Sequence, residues 1–317
     1  MGKTRLAVAP GVTLDLIDLP LPLEGYHHFF GIWLLRDENR GLSAIVDTGP
    51  SSTTPVLLEE LKRLGVGKLD YILLTHIHLD HSGGIAEALD AFPSSRVVVH
   101  PKGKGHLLNP TRLWESSLEV IPDMAAVYGK PSPVREDVFL PEPPGVPGLE
   151  VLYTPGHAPH HCSFVYDADG AKILFAGEAA STYCRRGFAY PGEDDGTFFL
   201  RPATPPRFFL ETALESIAKL EAVGADVICY AHFGYTREVT RMLEEAKVQL
   251  LLWRDLFREY LSKKELTPED VDMKDLLEFL LRRDPRMAEF RNLPGDMQSR
   301  EWGFFTSSAA GFLGAVT

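Results

Sequence analysis

The chain has 317 residues, 44% of them hydrophobic, so it can bury a large core, and one soluble globular enzyme domain with an extension is expected. Its formal net charge of -12 argues against a nucleic-acid partner, since non-specific affinity for a polyanion comes mostly from Lys and Arg meeting phosphates. Cys162, Cys184 and Cys229 are odd in number and lack C-x-x-C spacing, which argues against a disulfide framework, while no apolar leader or membrane-length run is present; a reducing, cytoplasmic setting without membrane contact is expected.

In chain order, Leu14 to Leu19, Phe29 to Leu35 and Leu42 to Val46 read as strands, and Thr54 to Leu64 reads as a helix stopped by Gly65. The apolar run Tyr71 to Leu74 is a buried strand that leads directly into His76-Ile77-His78-Leu79-Asp80-His81. On a continued strand, period two would put His76, His78 and Asp80 on one face, with His81 serving from another direction. Two metals, or one bulky site, are implied. Imidazole and carboxylate donors without thiolate suit Zn, Fe or Mn, and they leave coordination positions open for water, as catalytic sites do. Gly83-Gly84 permits a turn into a short helix through Leu89, and Arg96 to His100 reads as a strand, with His100 before Pro101 structural. Residues 101 to 149 read as an irregular insertion, a lid or pocket wall, with Trp114, Met124 and Tyr128 on a helical stretch.

Three later apolar segments each run through a tight turn into a ligand type: Val151 to Thr154 into His157, Ile173 to Ala176 into Glu178, and Val227 to Ala231 into His232. A lone His after a strand is more often structural, but the recurrence of one local pattern points to strand ends gathered along one sheet edge. Beyond Glu178 lies a loop with few periodic signals, where Tyr183, Arg185 and Arg186 are candidates for substrate contact, with Tyr235 just past His232. Cys184 has no dedicated base partner, so it is not read as a nucleophile. From Val239 onward the apolar residues follow helical spacing on a charged background. A second helix starts at Thr267-Pro268-Glu269-Asp270, and the apolar segment Phe304 to Val316 closes a three-helix extension that packs on the core, closes the pocket or builds a homodimer. Three Asn and two Gln in the whole chain, against abundant Arg, Pro and Leu, fit a heat-adapted protein.

In this order, H-x-H-x-D-H at 76–81, T-P-G-H at 154–157, G-E at 177–178 and the late His232 resemble the metallo-β-lactamase superfamily across residues 12 to 235, and Val46-Asp47-Thr48-Gly49 is similar to its early I-D-T-G turn. The resemblance implies an α/β fold, an αββα sandwich over residues 1–235 with a dinuclear site at one edge, and it fits the C-terminal helical extension over 236–317. It implies that His76, His78 and His157 hold one metal and Asp80, His81 and His232 a second, with zinc first and iron or manganese as alternatives. Most members bridge the metals with an Asp where this chain has Glu178. The extra methylene moves the carboxylate out by about a bond length, so the backbone retracts, or Glu178 binds one metal only, or the positions fill unequally. On that reading Glu178→Asp is expected to raise affinity for the second metal. The expected activity is hydrolysis of a small-molecule substrate with an activated carbonyl, a thioester or lactone as in the glyoxalase II and lactonase branches, by a metal-bound hydroxide, with Asp80 handling the proton. The alternatives are a phosphodiesterase or nuclease and a mononuclear iron persulfide dioxygenase-like enzyme. A flavodiiron-like electron carrier is disfavoured, since that branch resembles H-x-E-x-D and this chain has His78.

Overall fold

The computed structural model of the protein describes residues 4–185, 198–206 and 208–315. Strands β1 (Thr4–Ala9), β2 (Val12–Asp18), β3 (Gly31–Asp37), β4 (Leu42–Val46), β5 (Tyr71–Leu73) and β6 (Arg96–Val98) form one sheet in that order. The first four pair antiparallel, whereas β4–β5 and β5–β6 pair parallel. Strands β7 (Leu149–Tyr153), β8 (Cys162–Ala168), β9 (Ala171–Gly177), the pair β10 (Thr182–Arg185) and β11 (Phe198–Arg201), β12 (Val227–Tyr230) and β13 (Tyr235–Thr236) follow. The second sheet runs β13-β12-β9-β8-β7, and β10 and β11 pair separately.

Strand periodicity divides the core into three layers. In β5, β9 and β12, Leu73, Ile173, Phe175, Val227 and Cys229 face the space between the sheets, where they meet Leu14, Trp33 and Val46. Their neighbours Ile72, Leu174 and Ile228 point outward to helices, because successive strand side chains alternate faces. Helices α1 (Thr54–Arg63), α2 (Leu79–Ser82), α3 (Ile85–Ala91), α4 (Pro101–Leu108), α5 (Thr111–Val120) and α6 (Pro122–Tyr128) belong to the first sheet's side. Helices α7 (Leu210–Val223), α8 (Val239–Lys264), α9 (Met273–Arg283) and α10 (Gly295–Leu313) cover the second. The result is the αββα sandwich expected from the motifs. Among the described residues, no helix is long and apolar enough to cross a membrane.

Four local expectations are corrected. The insertion after residue 100 is helical through α4, α5 and α6, and only its Pro-rich end is irregular; His100 caps α4, its ring accepting from Lys102 N. Thr267 does form a capping box with Asp270, but it closes only a 3-10 turn at Pro268–Asp270. Val271 is extended, and α9 starts afresh with Asp272 accepting from the backbone of Lys274 and Asp275. The last helix begins nine residues before Phe304, at Gly295, where Pro294 precedes it and polar residues dominate its first turns. The sequence reading places no strand at Thr4–Ala9 or Cys162–Ala168, yet both pair over their length.

The C-terminal helices share one apolar core with α7 and the outer face of the second sheet. Trp253 on α8 is its centre: fully buried, against Phe257, Phe305 and Phe312, with Nε1 donating to Asp284 at 2.8 Å. Trp253→Ala should destabilise the protein by about 3–5 kcal/mol, since it opens a large cavity and removes one of the two hydrogen bonds that Asp284 Oδ2 accepts, the other coming from Gln249 Nε2. Denaturant unfolding of the two proteins measures this, and a loss under about 1 kcal/mol would mean that this layer is loosely packed.

Candidate metal centre

Strand β5 ends at Leu73, and His78 is already the cap of the short helix α2, so the H-x-H-x-D-H segment is a turn rather than a continued strand. That change lets His81 swing beside His76, with ring centroids 4.0 Å apart. The donors of the second sheet arrive from loops at the matching edge: His157 after β7, Glu178 at the end of β9, His232 after β12. The two sheets are tied there by Cys162 N donating to Thr75 O at 2.7 Å, Gly31 N to Ala231 O at 3.1 Å and Trp33 Nε1 to Tyr230 O at 2.9 Å.

Two groups of donors result. Ring nitrogens of His76, His78 and His157 and a carboxylate oxygen of Glu178 form one; Asp80, His81 and His232 form the other, with the atoms of each group within 4.8 Å of one another. Glu178 spans both. Its Oε2 lies 2.8 Å from His157 Nε2, 3.4 Å from His76 Nε2 and 3.5 Å from His81 Nε2, while Oε1 lies 3.2 Å from His232 Nε2. Asp80 Oδ2 is 3.5 Å from His81 Nε2 and 3.9 Å from His232 Nε2.

Hydrogen bonding on the outer side orients three of the imidazoles. Thr75 Oγ1 donates its one proton to the Asp47 carboxylate, so the 3.0 Å contact with His76 must be His76 Nδ1 donating to that hydroxyl. His81 Nδ1 donates to Asp47 Oδ2 at 2.9 Å and His157 Nδ1 to Ala203 O at 3.1 Å. Each leaves Nε2 facing inward. His76 Nε2 and His157 Nε2 then meet the same His78 Nδ1 at 3.0 and 3.1 Å. Tetrahedral bonds of about 2.0–2.1 Å put ligand atoms about 3.3 Å apart, so this corner fits a divalent cation. In the second group His81 Nε2 is buried and without a hydrogen-bond partner, the signature expected of a ligand atom.

Without a cation the carboxylates carry the electrostatics. Burial pushes His81 and His157 down, but Asp80 and Asp47 outweigh it for His81 and Glu178 for His157, so both are raised. Burial pushes Glu178 up, yet His157 and His232 hold it well below the usual carboxylate range. Burial and its histidine neighbours bring His78 down to about 4.

Two supporting residues escape the motif reading. Asp47 belongs to the I-D-T-G-like turn, but its role depends on partners 28 and 34 positions away. His161 is fully buried, and its Nε2 accepts from Glu178 N at 3.0 Å. A relay fixes that tautomer: His161 Nδ1 donates to Thr154 Oγ1, which donates to Ser163 Oγ, which donates to Ala176 O. Gly177, at φ 58, has no room for a side chain, since a Cβ would sit 2.4 Å from His161 Nε2. Two of the substrate-contact candidates, Tyr183 and Tyr235, pack in or against the core. Tyr183 takes a core position, stacked on Tyr230 at 4.7 Å, and the Tyr235 ring packs edge-on to Trp33 at 6.1 Å. Arg185 ends β10, and Arg186 lies outside the described residues.

A family model for the metallo-beta-lactamase superfamily matches residues 32–232, which includes every donor described above. The chain belongs to that superfamily. It is a metal-dependent hydrolase, in keeping with relatives such as the hydroxyacylglutathione hydrolase of Alkalilimnicola ehrlichii, 34% identical over 165 residues, 52% of this chain and 50% of that protein. The chain thus spans half of that relative's length. The metallo-beta-lactamase fold-containing protein ST1585 of Sulfurisphaera tokodaii is 30% identical over 194 residues, 58% of this chain and 67% of its own. Among solved structures, the metallo-beta-lactamase family protein TTHA1429 of Thermus thermophilus superposes with a TM-score of 0.55 at 26% identity, covering 94% of this chain and 95% of that one.

The reach of Glu178 reverses the expectation for its shortened variant. Its backbone is anchored by His161, so Glu178→Asp would withdraw the carboxylate by about one bond length and should weaken metal binding at the Asp80–His81–His232 group by about 10–100-fold. Chelator competition reads this, and equal or tighter binding would show the backbone free to follow. Because His81 and His157 are raised in the metal-free protein, metal uptake near neutrality should release protons and lose affinity as pH falls. Calorimetry in buffers of different ionisation enthalpy checks the sign.

Proposed function

We propose that the protein hydrolyses a thioester or lactone of a small molecule, with two divalent transition metals, zinc first, held by His76, His78 and His157 and by Asp80, His81 and His232, and with Glu178 between them. The observation that carries this reading is the pair of donor groups sharing one carboxylate, built only of nitrogen and oxygen ligands. Bound metals would supply a water acidified from a pKa of about 15.7 towards roughly 7 and a Lewis acid for the substrate carbonyl. Thr75, Asp47 and Ala203 O keep the inward nitrogens of His76, His81 and His157 aimed at that chemistry, a preorganisation that costs nothing at the moment of reaction.

Asp80 is the carboxylate assigned here to proton transfer. Its side chain is 16% exposed against 9% for Glu178, so it reaches from the metal centre to solvent, whereas Glu178 is enclosed by imidazoles. On this reading Asp80 takes the proton released on attack and delivers it to the departing thiolate or alkoxide. Thioesters come first because the A. ehrlichii relative is a hydroxyacylglutathione hydrolase. The acidic net charge disfavours a polyanionic substrate.

Metal-loaded protein should turn over a hydroxyacylglutathione thioester or γ-butyrolactone faster than bis(p-nitrophenyl) phosphate. Preference for the phosphodiester would overturn the reading in favour of the phosphodiesterase alternative. Asp80→Asn should lower kcat by about 10²-fold or more with the fold intact, as loss of general acid–base catalysis does. Metal content of the variant is measured alongside; near wild-type turnover at full loading would remove Asp80 from the proton path.

A further inference from the structure

His232 is held differently from His76, His81 and His157. His76, His81 and His157 each have an outer nitrogen fixed by a hydrogen bond, whereas His232 Nδ1 is buried with no hydrogen-bond partner among the described residues. What confines its ring is a face. Phe29 stacks on it at 4.4 Å and 25°, and Phe30 lies tilted at 5.9 Å. Phe29 is fully buried, and the same ring receives the Arg300 guanidinium 4.4 Å from its centroid and Phe304 at 4.8 Å. Both of those residues belong to α10. Arg300 is itself anchored, donating to Gly25 O and His27 O, just before Phe29, and to Glu301, which also receives Arg201.

We infer that Phe29, with the Arg300 guanidinium over its ring, is the positioning residue for His232, and that the C-terminal helix, through Arg300, thereby sets how tightly metal is held at the Asp80–His81–His232 position. The inference rests on the two-metal reading above. A hydrogen bond to the outer nitrogen both orients a ligating imidazole and raises its basicity. The His76–His78–His157 position has two such bonds, on His76 and His157, against one here, on His81, and a stacked ring supplies orientation alone, so the position that depends on His232 is the weaker of the two. The cation over Phe29 resists its displacement, because the guanidinium is attracted to the ring face.

Titration of metal-free protein with cobalt(II), followed by visible d–d absorption, separates a tight and a weak step. In Phe29→Leu and Phe29→Met the weak step should lose about 10–100-fold in affinity while the tight step stays within about twofold. Phe304→Leu removes comparable packing without touching His232 and should leave the weak step within about twofold. Thermal melts identify which Phe29 variant is folded at the assay temperature, the Met variant keeping most of the ring's volume. An unchanged weak step in the folded variant, equal weakening of both steps, or the same loss in Phe304→Leu would overturn the inference. If the wild-type protein takes up only one cobalt, the two-metal reading fails instead. The stack is then judged in metal-free protein from the His232 ring resonances, which should broaden or shift in Phe29→Met and, if they do not, sink it.

Discussion

A single buried carboxylate, Asp47, arranges the metal edge of this sandwich. It stands at the end of β4 with φ 64, a conformation that costs a non-glycine residue energy, and it accepts from Thr75 N, Thr75 Oγ1 and His81 Nδ1. Burying an anion is tolerable only when such donors meet it, so the parallel pairing of β4 with β5 becomes productive once Thr75 and His81 close around it. The tautomers follow from that closure. With the Thr75 proton committed to Asp47, His76 has to donate outward and present Nε2 inward. His81 does the same through its own bond to the carboxylate. A chain of proton positions thus runs from a turn residue to the donors of both groups, and Glu178 has its own counterpart in the His161–Thr154–Ser163 relay.

Much of this is legible in the sequence because it is local. The four strand-turn-ligand junctions are written within a few residues each, and every donor named from them falls in one of the two groups. The alternation of Ile72 with Leu73, or Leu174 with Phe175, likewise announces strands covered on both faces. What stays hidden depends on distance along the chain. Asp47 and His161 are plain residues in turns until partners far away give them a role. Tyr183 is as polar-looking in a loop as any substrate contact, yet its ring completes a core stack whose other member, Tyr230, lies 47 positions later. The capping box at Thr267 is a real signal attached to a shorter object, since one satisfied turn does not oblige the chain to continue as a helix.

Each donor group draws on both sheets. His76, His78, Asp80 and His81 leave the first sheet, and His157, Glu178 and His232 leave the second, so neither group is complete within one half of the sandwich. A cation bound at either group is therefore a stitch across the interlayer seam, closing loops of 79 residues from His78 to His157 and 151 residues from His81 to His232 through bonds far stronger than the packing around them. In the unfolded chain those donors are scattered, and bound metal would stabilise the native state in proportion to the logarithm of its concentration over its dissociation constant. The seam would then be the first place to open when metal is withdrawn. Affinity at the centre and the alignment of the two sheets are, on this architecture, one quantity observed from two ends.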